Sequence, residues 1–345
     1  MKDSGMLRIA VIGCGAVSQR CHIPAVQSHL DARLEWLVDP DTQRLRQLAK
    51  KADKVKTATD YHEVLGSADA AIVAVPHSLH APISIHLLRH GIHVLVEKPM
   101  ATSASECDAM IEGAREGHAV LAVGLMRRFL RSAQFARWAL ENDVLGPIES
   151  FDIREGNVYN WPVQSDFFFR ADTAGGGVLA DTGAHTLDQL LWWLGEVESY
   201  EYYDDSHGGV EADCELRLSM TSEAQGIVEL SRTRNLRNTA IIRGRHAELE
   251  VGLRTNEAML RSRDGAPGLS GMGIQYPGQT PAPQAFTDLF PPQFHDWIEA
   301  IRTGRPPSVP GSEGRRSVAL IEGCYAQRQP LELPWMQPAG QGAGI

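Results

Sequence analysis

Three side chains in this sequence are suited to moving a proton to or from an alcohol oxygen. Lys98 lies in the tripeptide Glu97–Lys98–Pro99, and Asp181 and His185 follow three glycines at 175–177. Histidine exchanges protons near neutral pH, whereas a lysine ammonium stabilises negative charge that develops on oxygen. The spacing of Asp181 and His185 puts both on one face if the segment is helical. The structural alternative is a capping pair beside the glycines, with the tripeptide as a solvated turn.

A glycine-rich turn near the start of the sequence is typical of a dinucleotide site. The pattern Gly-x-Gly-x-x-Ser at residues 13–18 follows an apolar run. Gly13 permits a tight turn, and Gly15 lets the backbone approach a pyrophosphate. The helix that Ala16 and Val17 would open offers free N–H groups to the same ligand. The turn therefore predicts a redox cofactor, and the alternative is a simple tight turn.

The nature of that cofactor is suggested by Asp39, which ends the second apolar run. A carboxylate about twenty residues after the glycine turn accepts both hydroxyls of an adenosine ribose and repels a 2′-phosphate. This favours NAD over NADP, although Arg44 follows closely enough to leave NADP open. Asp39 or Asp41 could instead cap the next helix, and the two roles are compatible.

The elements that would position these residues are short apolar runs that alternate with helix-like segments. Runs without regular polar alternation are typical of strands buried on both faces. Such strands are predicted at Leu7–Ile12, Leu34–Val38, Ala70–Val75, His93–Val96 and Ala119–Val123. Helices are predicted at Thr42–Lys51, Pro82–His90 and Ser103–Gly117. Repeated strand–helix order indicates an α/β fold with a doubly wound parallel sheet, a Rossmann domain.

After about residue 125 the pattern changes to the alternation of half-buried strands, seen best from Cys214 to Met220. Further strands are predicted at Ile148–Arg154, Gly226–Ser231, Ala240–Gly244 and Ala247–Val251. Helices are predicted at Arg131–Asn142, His185–Leu194, Gln284–Arg302 and Gly314–Gln327, and a surface loop at Asp264–Pro283. The alternation favours an α+β domain with an open, mostly antiparallel sheet. We therefore expect a dinucleotide-binding domain at 1–126 and a substrate-binding and oligomerisation domain at 127–345.

Together these motifs resemble the glucose–fructose oxidoreductase / inositol dehydrogenase (Gfo/Idh/MocA) family. The resemblance is carried by Gly13-x-Gly15, Asp39, Pro76-x-x-x-His80, Glu97–Lys98–Pro99 and the Asp-x-x-x-His element at 181–185. It implies a Rossmann domain and a second domain whose open sheet often forms oligomer contacts, and hence a homodimer or homotetramer. It also implies that Pro76, His80 and Glu97 lie at the cofactor. A surface position at a helix N-terminus is the alternative for His80.

Resemblance and residue chemistry together predict an NAD(P)-dependent oxidoreductase. It would interconvert a secondary hydroxyl and a ketone on a sugar, nucleotide sugar or cyclitol. His185 would act as acid and base, Lys98 would bind the reacting oxygen, and Asp181 would orient His185 or a substrate hydroxyl. Two alternatives stay open: a glycosidase that oxidises its substrate transiently with bound NAD, and a non-enzymatic regulator that senses dinucleotide. A regulator needs neither Lys98 nor His185.

Candidate substrate contacts come from an aromatic segment and from arginines. Trp161 lies in the aromatic segment at 159–169 and Arg170 follows it, while Arg127 comes after the last predicted strand of the parallel sheet. Arginine grips carboxylate or phosphate, and an aromatic face can stack on a sugar ring. Packing of the aromatic segment on a sheet is the alternative. A late basic patch is interpreted as a solvated sheet face or subunit interface; it comprises Arg232, Arg234, Arg237, Arg243 and Arg245.

Composition limits the partners and the compartment. The 345 residues carry a formal net charge of −10 with a pI near 5.7, which argues against a nucleic-acid partner. No apolar stretch is long enough to cross a membrane and no secretory signal is visible, so we expect a cytoplasmic protein without a membrane partner. The five cysteines are scattered, so reduced thiols and no bound metal are expected.

Overall fold

A computed structural model of the protein describes residues 5–52, 54–158, 170–263, 269–272 and 285–332. Within them the chain forms two sheets, one before Gly124 and the other after Pro147. All five cysteines are free and buried. No helix in the described part of the chain is long and apolar enough to span a membrane.

The first sheet is parallel and carries the residues of the predicted cofactor site. Its strands are β1 (Leu7–Ile12), β2 (Ala32–Val38), β3 (Lys56–Ala58), β4 (Ala70–Val73), β5 (His93–Val96) and β6 (Leu121–Val123). Its helices are α1 (Ile23–Ser28), α2 (Thr42–Ala49), α3 (His80–Arg89) and α4 (Ala104–Glu116). The strand order is β3-β2-β1-β4-β5-β6. Every residue of β4 is buried, which explains why the sequence shows no polar alternation there.

The doubly wound fold predicted from the sequence is confirmed, and it fixes where a ligand would bind. The strand order reverses between β1 and β4, and all neighbouring pairs are parallel. In such sheets the ligand crevice lies beyond the carboxyl ends of the strands at this reversal. Gly13 follows β1, Pro76 comes shortly after β4, and Glu97 follows β5, so all three lie along that edge.

The second sheet is mixed but mostly antiparallel. Its strands are β7 (Ile148–Gly156), β8 (Val197–Asp204), β9 (Asp213–Met220), β10 (Gln225–Ser231), β11 (Thr239–Gly244), β12 (Ala247–Gly252), β13 (Glu257–Ser262), β14 (Leu269–Met272) and β15 (Gln329–Pro330). The order is β14-β13-β12-β11-β7-β10-β9-β8-β15. Two neighbouring pairs, β7 with β10 and β8 with β15, are parallel.

One face of the second sheet is covered, as the alternation predicts. Cys214, Leu216, Leu218 and Met220 in β9 are buried, whereas Arg217 between them is exposed. The helices of this half are α5 (Arg131–Glu141), α6 (Ala171–Ala174), α7 (Ala184–Leu194), α8 (Phe290–Thr303) and α9 (Gly311–Ala326). Helix α5 packs on β12 and β13 and on α7, while α9 packs on α4 of the first half. The domain boundary at residue 126 falls between β6 and α5 and stays a prediction.

Five strands were not predicted, and their sequences explain why. Strand β3 is three residues long, with two of them exposed at the sheet edge. Strand β8 carries charged residues on both faces, and strand β13 has only one buried residue. Strand β15 is two residues long. Strand β14 lies inside the segment predicted as a loop, and the rest of that segment, 264–268 and 273–283, is outside the described residues. Polar or short edge strands give no periodic signal of their own.

Candidate active site

The glycine turn keeps space open at the carboxyl end of β1. Gly13 has a φ of +87°, and a Cβ there would lie 2.2 Å from the carbonyl oxygen of Ala74. By contrast, nothing lies within 4 Å of the place that a Cβ of Gly15 would occupy. The Ser18 hydroxyl donates to the Gly13 carbonyl at 2.6 Å and closes the turn. A helix begins at Ala16, and the first N–H groups of a helix lack intrahelical acceptors, so the turn fits a pyrophosphate.

The open space at Gly15 allows cofactor binding to be separated from folding. A Gly15→Val variant should keep the wild-type melting temperature because the new side chain meets no protein atom at its Cβ. It should bind NADH at least about tenfold more weakly, since it occupies the place of the pyrophosphate. Fluorescence titration with NADH and a thermal melt measure the two effects. Gly5→Val is the matched control, because its Cβ also meets nothing, and equal NADH affinity in both variants would contradict the assignment.

Asp39 braces the glycine turn from the end of β2. It is 3% exposed, and its Oδ2 accepts the N–H of Cys14 at 2.8 Å while its Oδ1 accepts the N–H of Asp41 at 2.9 Å. Arg44 donates to both oxygens at 2.9 and 3.0 Å. Asp41 is the residue that caps α2. Each oxygen of Asp39 thus already has two protein donors, and the partly exposed Arg44 guanidinium lies beside it.

Two residues predicted to contact the cofactor, His80 and Glu97, are buried and form hydrogen bonds with protein groups around Lys98. His80 is fully buried, and its ring nitrogens lie 2.8 and 2.9 Å from the carbonyl oxygens of Pro99 and Val75. The surface alternative for His80 is therefore wrong, and a ring contact to a cofactor would have to replace one of these bonds. Glu97 is buried with Oε1 2.7 Å from Nε2 of His22, which links the segment to the helix after the glycine turn. The half-buried Pro76 stays a predicted cofactor contact.

Lys98 reaches from the end of β5 to the second half of the chain. Its ammonium donates to the Asp181 carboxylate at 2.5 Å and to the Asp181 carbonyl at 3.2 Å. The other carboxylate oxygen of Asp181 accepts from Arg232 at 2.9 Å. Burial raises the pKa of Asp181, but the charges of Lys98 and Arg232 outweigh burial and hold that pKa well below its usual range. Asp181 is therefore an ionised carboxylate shared by two cations.

His185 lies in the first turn of α7 and is 5% exposed. Its Nδ1 has no hydrogen-bond partner among the described residues. Burial, followed by the charges of Arg127 and Lys98, lowers the pKa of His185 well below its usual value. The ring is therefore neutral at neutral pH and can accept a proton. The charge of Lys98 thus acts on the buried His185 ring, and a shared role of the two groups stays a prediction.

The expected orientation of His185 by Asp181 is not what the structure shows, because Asp181 binds Lys98 and Arg232 instead. Leu179–Gly183 forms a π-helical turn, in which the hydrogen bonds skip one more residue than in an α-helix, so the segment is not the regular helix that the spacing assumed. The other predicted role of Asp181, to orient a substrate hydroxyl, stays a prediction.

A second buried carboxylate contacts Thr186, the residue that follows His185. Glu155, at the end of β7, is fully buried and accepts both donors of a forked Arg127 contact at 2.7 and 2.8 Å. It also accepts from the Thr186 hydroxyl and from Arg254, each at 2.5 Å. Burial raises the pKa of Glu155, but Arg127 and Arg254 outweigh it and lower that pKa to about 2. The guanidinium of Arg127 therefore binds Glu155 through both terminal nitrogens, and its predicted contact with the substrate stays a prediction.

Comparison with known proteins agrees with both halves of this arrangement. A family model described as an oxidoreductase family with an NAD-binding Rossmann fold matches residues 7–125. A second, described as the C-terminal alpha/beta domain of that oxidoreductase family, matches residues 137–333. The chain belongs to the Gfo/Idh/MocA oxidoreductase family. The resemblance read from the motifs is therefore confirmed.

Two relatives and two solved structures illustrate the range of this family. Myo-inositol 2-dehydrogenase of Thermotoga maritima is 25% identical over 346 residues, which is 94% of this chain and 96% of that protein. D-glucoside 3-dehydrogenase of Escherichia coli is 29% identical over 61% of each chain. Levoglucosan dehydrogenase in complex with NADH and levoglucosan has a TM-score of 0.82 at 18% identity, over 93% of this chain and 96% of that one.

The second structure is the WlbA dehydrogenase from Bordetella pertussis in complex with NADH and UDP-GlcNAcA. Its TM-score is 0.81 at 22% identity, and the match covers 95% of this chain and 96% of that one. At these identities the two structures show a shared fold.

In this Gfo/Idh/MocA chain, two site residues were missed that strand periodicity could have found. In β7, Phe151 and Ile153 are buried, and Glu155 continues the same face. In β10, Val228 and Leu230 are buried, and Arg232 comes two residues later. A charged residue in phase with the covered face is a signal for a site.

A third missed residue, His77, gives no such signal. It is buried, and its Nδ1 lies 2.7 Å from the carbonyl oxygen of Ala174. Burial and the charge of neighbouring His80 lower the pKa of His77 to about 3. Of the predicted substrate contacts, Trp161 lies outside the described residues, while Arg170 is exposed just before α6.

The five arginines of the late basic patch do not share one surface. Arg237 and Arg243 form ion pairs with neighbouring acidic side chains, as a solvated sheet face predicts. Arg234 pairs with Asp213 and Glu229. Arg232 belongs to the site instead, so its assignment to the solvated face was wrong. Among the described residues, no group of three His, Cys, Asp or Glu side chains could hold a metal ion.

Proposed function

We propose that this protein is an NAD(P)-dependent dehydrogenase or ketoreductase that interconverts a secondary hydroxyl and a ketone on a sugar, nucleotide sugar or cyclitol. The observation that carries the proposal is that the charge of Lys98 acts on a neutral, buried His185. Lys98 follows β5 at the strand edge that also bears the open glycine turn. The relatives named for inositol and D-glucoside dehydrogenases support a polyhydroxy substrate.

The side chains divide the work at the alcohol oxygen. His185 takes the hydroxyl proton, because its lowered pKa keeps it neutral. Lys98 has three donors, and Asp181 receives two of them among the described residues, so the third can point to the substrate oxygen. Its charge stabilises the negative charge that develops there. When bound at the glycine turn, NAD⁺ would accept the hydride from the carbon.

Cofactor choice depends on Asp39 and Arg44, which act in opposite directions. Asp39 disfavours a 2′-phosphate, but Arg44 neutralises it and presents a partly exposed guanidinium. An Arg44→Gln variant should therefore lose at least about tenfold in kcat/KM with NADP while keeping its activity with NAD. Initial rates with both cofactors measure the ratio. Arg46→Gln, on the same helix, is the control, and an unchanged NADP-to-NAD ratio in Arg44→Gln would refute this role.

A panel of sugars, cyclitols and nucleotide sugars, monitored for NADH and NADPH formation, tests the proposed function. We expect net reduction of the cofactor with a ketone as the product. Hydrolysis of an aryl glycoside without net NADH would point instead to the glycosidase. NADH binding with no turnover of any substrate would point to the regulator.

We also propose that the protein is a homo-oligomer that uses the uncovered face of the second sheet. That face carries cross-strand ion pairs such as Arg154 with Glu229 and Arg261 with Glu250. Light scattering should give a dimer or tetramer, and a monomer at micromolar concentration would exclude it.

A further inference from the structure

The helical segment that carries Asp181 and His185 starts with backbone donors that the helix itself cannot satisfy. It begins at Val178, and the N–H of Asp181 donates to the carbonyl oxygen of Gly177 at 3.1 Å. The four N–H groups at 177–180 therefore need acceptors from other parts of the protein. Because these residues are buried, an unpaired N–H group here would be costly.

Glu211, which precedes β9, provides the acceptors for three of these groups. Its Oε1 accepts from the N–H groups of Gly177 and Leu179, each at 2.9 Å. Its backbone carbonyl oxygen accepts from the N–H of Val178 at 2.9 Å. Glu211 is only 1% exposed, and a Cβ at Gly177 would lie 1.9 Å from its carbonyl oxygen. The glycine therefore lets Glu211 reach the start of the helix.

Tyr325 on α9 provides the fourth acceptor. Its hydroxyl accepts from the N–H of Ala180 at 3.2 Å and donates to Oε1 of Glu211 at 2.7 Å. Burial, followed by the charge of Glu211, raises the pKa of Tyr325 well above its usual value, so the hydroxyl keeps the proton that it donates. A Cβ at Gly176 would lie 2.0 Å from this hydroxyl, so a second glycine makes room for the contact.

Helix α9 also contacts the segment that carries Lys98. Nearer the start of α9, a Cβ at Gly314 would lie 3.2 Å from Sδ of Met100. Met100 is 1% exposed and comes two residues after Lys98. One helix thus contacts the segment of Lys98 through Met100 and the helix of Asp181 through Tyr325.

Given the proposed dehydrogenase function, on which this step rests, we infer that Glu211 and Tyr325 are positioning residues of the reaction. They fix the backbone at the start of the helix, and through it the two Asp181 oxygens that accept from Lys98. Both the carboxylate and the carbonyl of Asp181 bind the Lys98 ammonium, at 2.5 and 3.2 Å, so a shift of this backbone would move both acceptors. A displacement of about 1 Å in a reacting group can lower a rate by about 100-fold.

A Tyr325→Phe variant removes the hydroxyl and keeps the ring. It should lower kcat about tenfold, while KM for the substrate and the affinity for NADH change by less than about twofold. Tyr202→Phe is the matched control, because the buried Tyr202 ring packs edge-on against Tyr325 and its hydroxyl has no hydrogen-bond partner among the described residues. It should have wild-type kinetics. A wild-type kcat in Tyr325→Phe, or an equal loss in Tyr202→Phe, would overturn the inference.

Two variants of Glu211 test the acceptor itself. Glu211→Gln keeps an oxygen that can accept from Gly177 and Leu179, so kcat should stay within about threefold of wild type. Glu211→Ala removes this acceptor and should lower kcat by about 100-fold. A wild-type kcat in Glu211→Ala would exclude a positioning role for the side chain.

A double-mutant cycle with Lys98→Met shows whether Tyr325 acts through the contact between Asp181 and Lys98. In the Lys98→Met background that contact is already absent, so Tyr325→Phe should lower kcat by less than about twofold further. A further tenfold loss would mean that the hydroxyl contributes only to the general stability of the fold, and the inference would fail.

Hydrogen exchange provides a readout that needs no turnover. Tyr325→Phe should speed the exchange of the amides at 177–180 by at least about tenfold, and Tyr202→Phe should leave it unchanged. If exchange is unchanged in Tyr325→Phe, the positioning role is overturned even when NADH forms. If exchange speeds up but the wild-type enzyme turns over no member of the substrate panel, the dehydrogenase function fails while the hold on the Asp181 backbone stands.

Discussion

A Lys98→Met variant should lose about 100- to 1,000-fold in kcat, with NADH affinity unchanged. Methionine keeps an unbranched stem of similar length but removes the ammonium that binds Asp181 and, by our proposal, the substrate oxygen. Asp181 keeps its hydrogen bond from Arg232, so the pocket should still fold. Steady-state rates of NADH formation measure the loss, and fluorescence titration with NADH measures cofactor affinity.

Two further variants make the Lys98 result specific. Lys98→Arg retains the charge with a different donor geometry and should recover part of the rate. Lys56→Met removes an exposed lysine that pairs with Glu35 and should have wild-type kinetics. Wild-type turnover by Lys98→Met would rule out a role for the ammonium in the reaction.

A His185→Gln variant should lose about 100- to 10,000-fold in kcat, because it removes the neutral base that, by our proposal, takes the hydroxyl proton. The wild-type pH profile carries the sharper information. Only neutral His185 accepts the proton, and its pKa lies well below the usual 6.5. Alcohol oxidation should therefore persist as the pH falls through 6.5 and be lost only at lower pH. His185→Gln should lack this acid limb.

The pH at which the acid limb is centred tests the assignment of His185 as the base. His90→Gln, which changes an exposed histidine on α3's C-terminal side, should keep both the rate and the limb. A wild-type limb centred at or above pH 6.5 would show that the titrating base lies in a more exposed or more acidic environment than the pocket of His185.

Most of the fold could be predicted because hydrophobic pattern follows burial. Strands β1, β4 and β5 are continuous apolar runs since they lie inside the first sheet, and β9 alternates since one of its faces is covered. The edge strand β3 and the polar strand β8 carry too little pattern to be found. Their place is set by pairing with a neighbouring strand, which is a tertiary property.

The residues of the candidate site could be predicted from the sequence, but the contacts between them could not. Lys98, Asp181 and His185 were found from motifs, because each motif is local in sequence. The Asp181 contact with Arg232 spans 51 residues, and the Arg127 contact with Glu155 spans 28. Such contacts form only when the second sheet packs against the glycine-rich segment. The one sequence signal for them is the periodicity of β7 and β10, which places Glu155 and Arg232 in phase with buried residues.

The central claim is that the Lys98 ammonium and the His185 imidazole meet at one alcohol oxygen beside the nicotinamide ring. A crystal structure of the wild-type enzyme with NADH and an alcohol substrate tests it most directly. The account predicts that Nζ of Lys98 and a ring nitrogen of His185 each lie within about 3 Å of the same hydroxyl oxygen. A substrate whose reacting hydroxyl contacts neither group, or contacts them through two different oxygens, would contradict it.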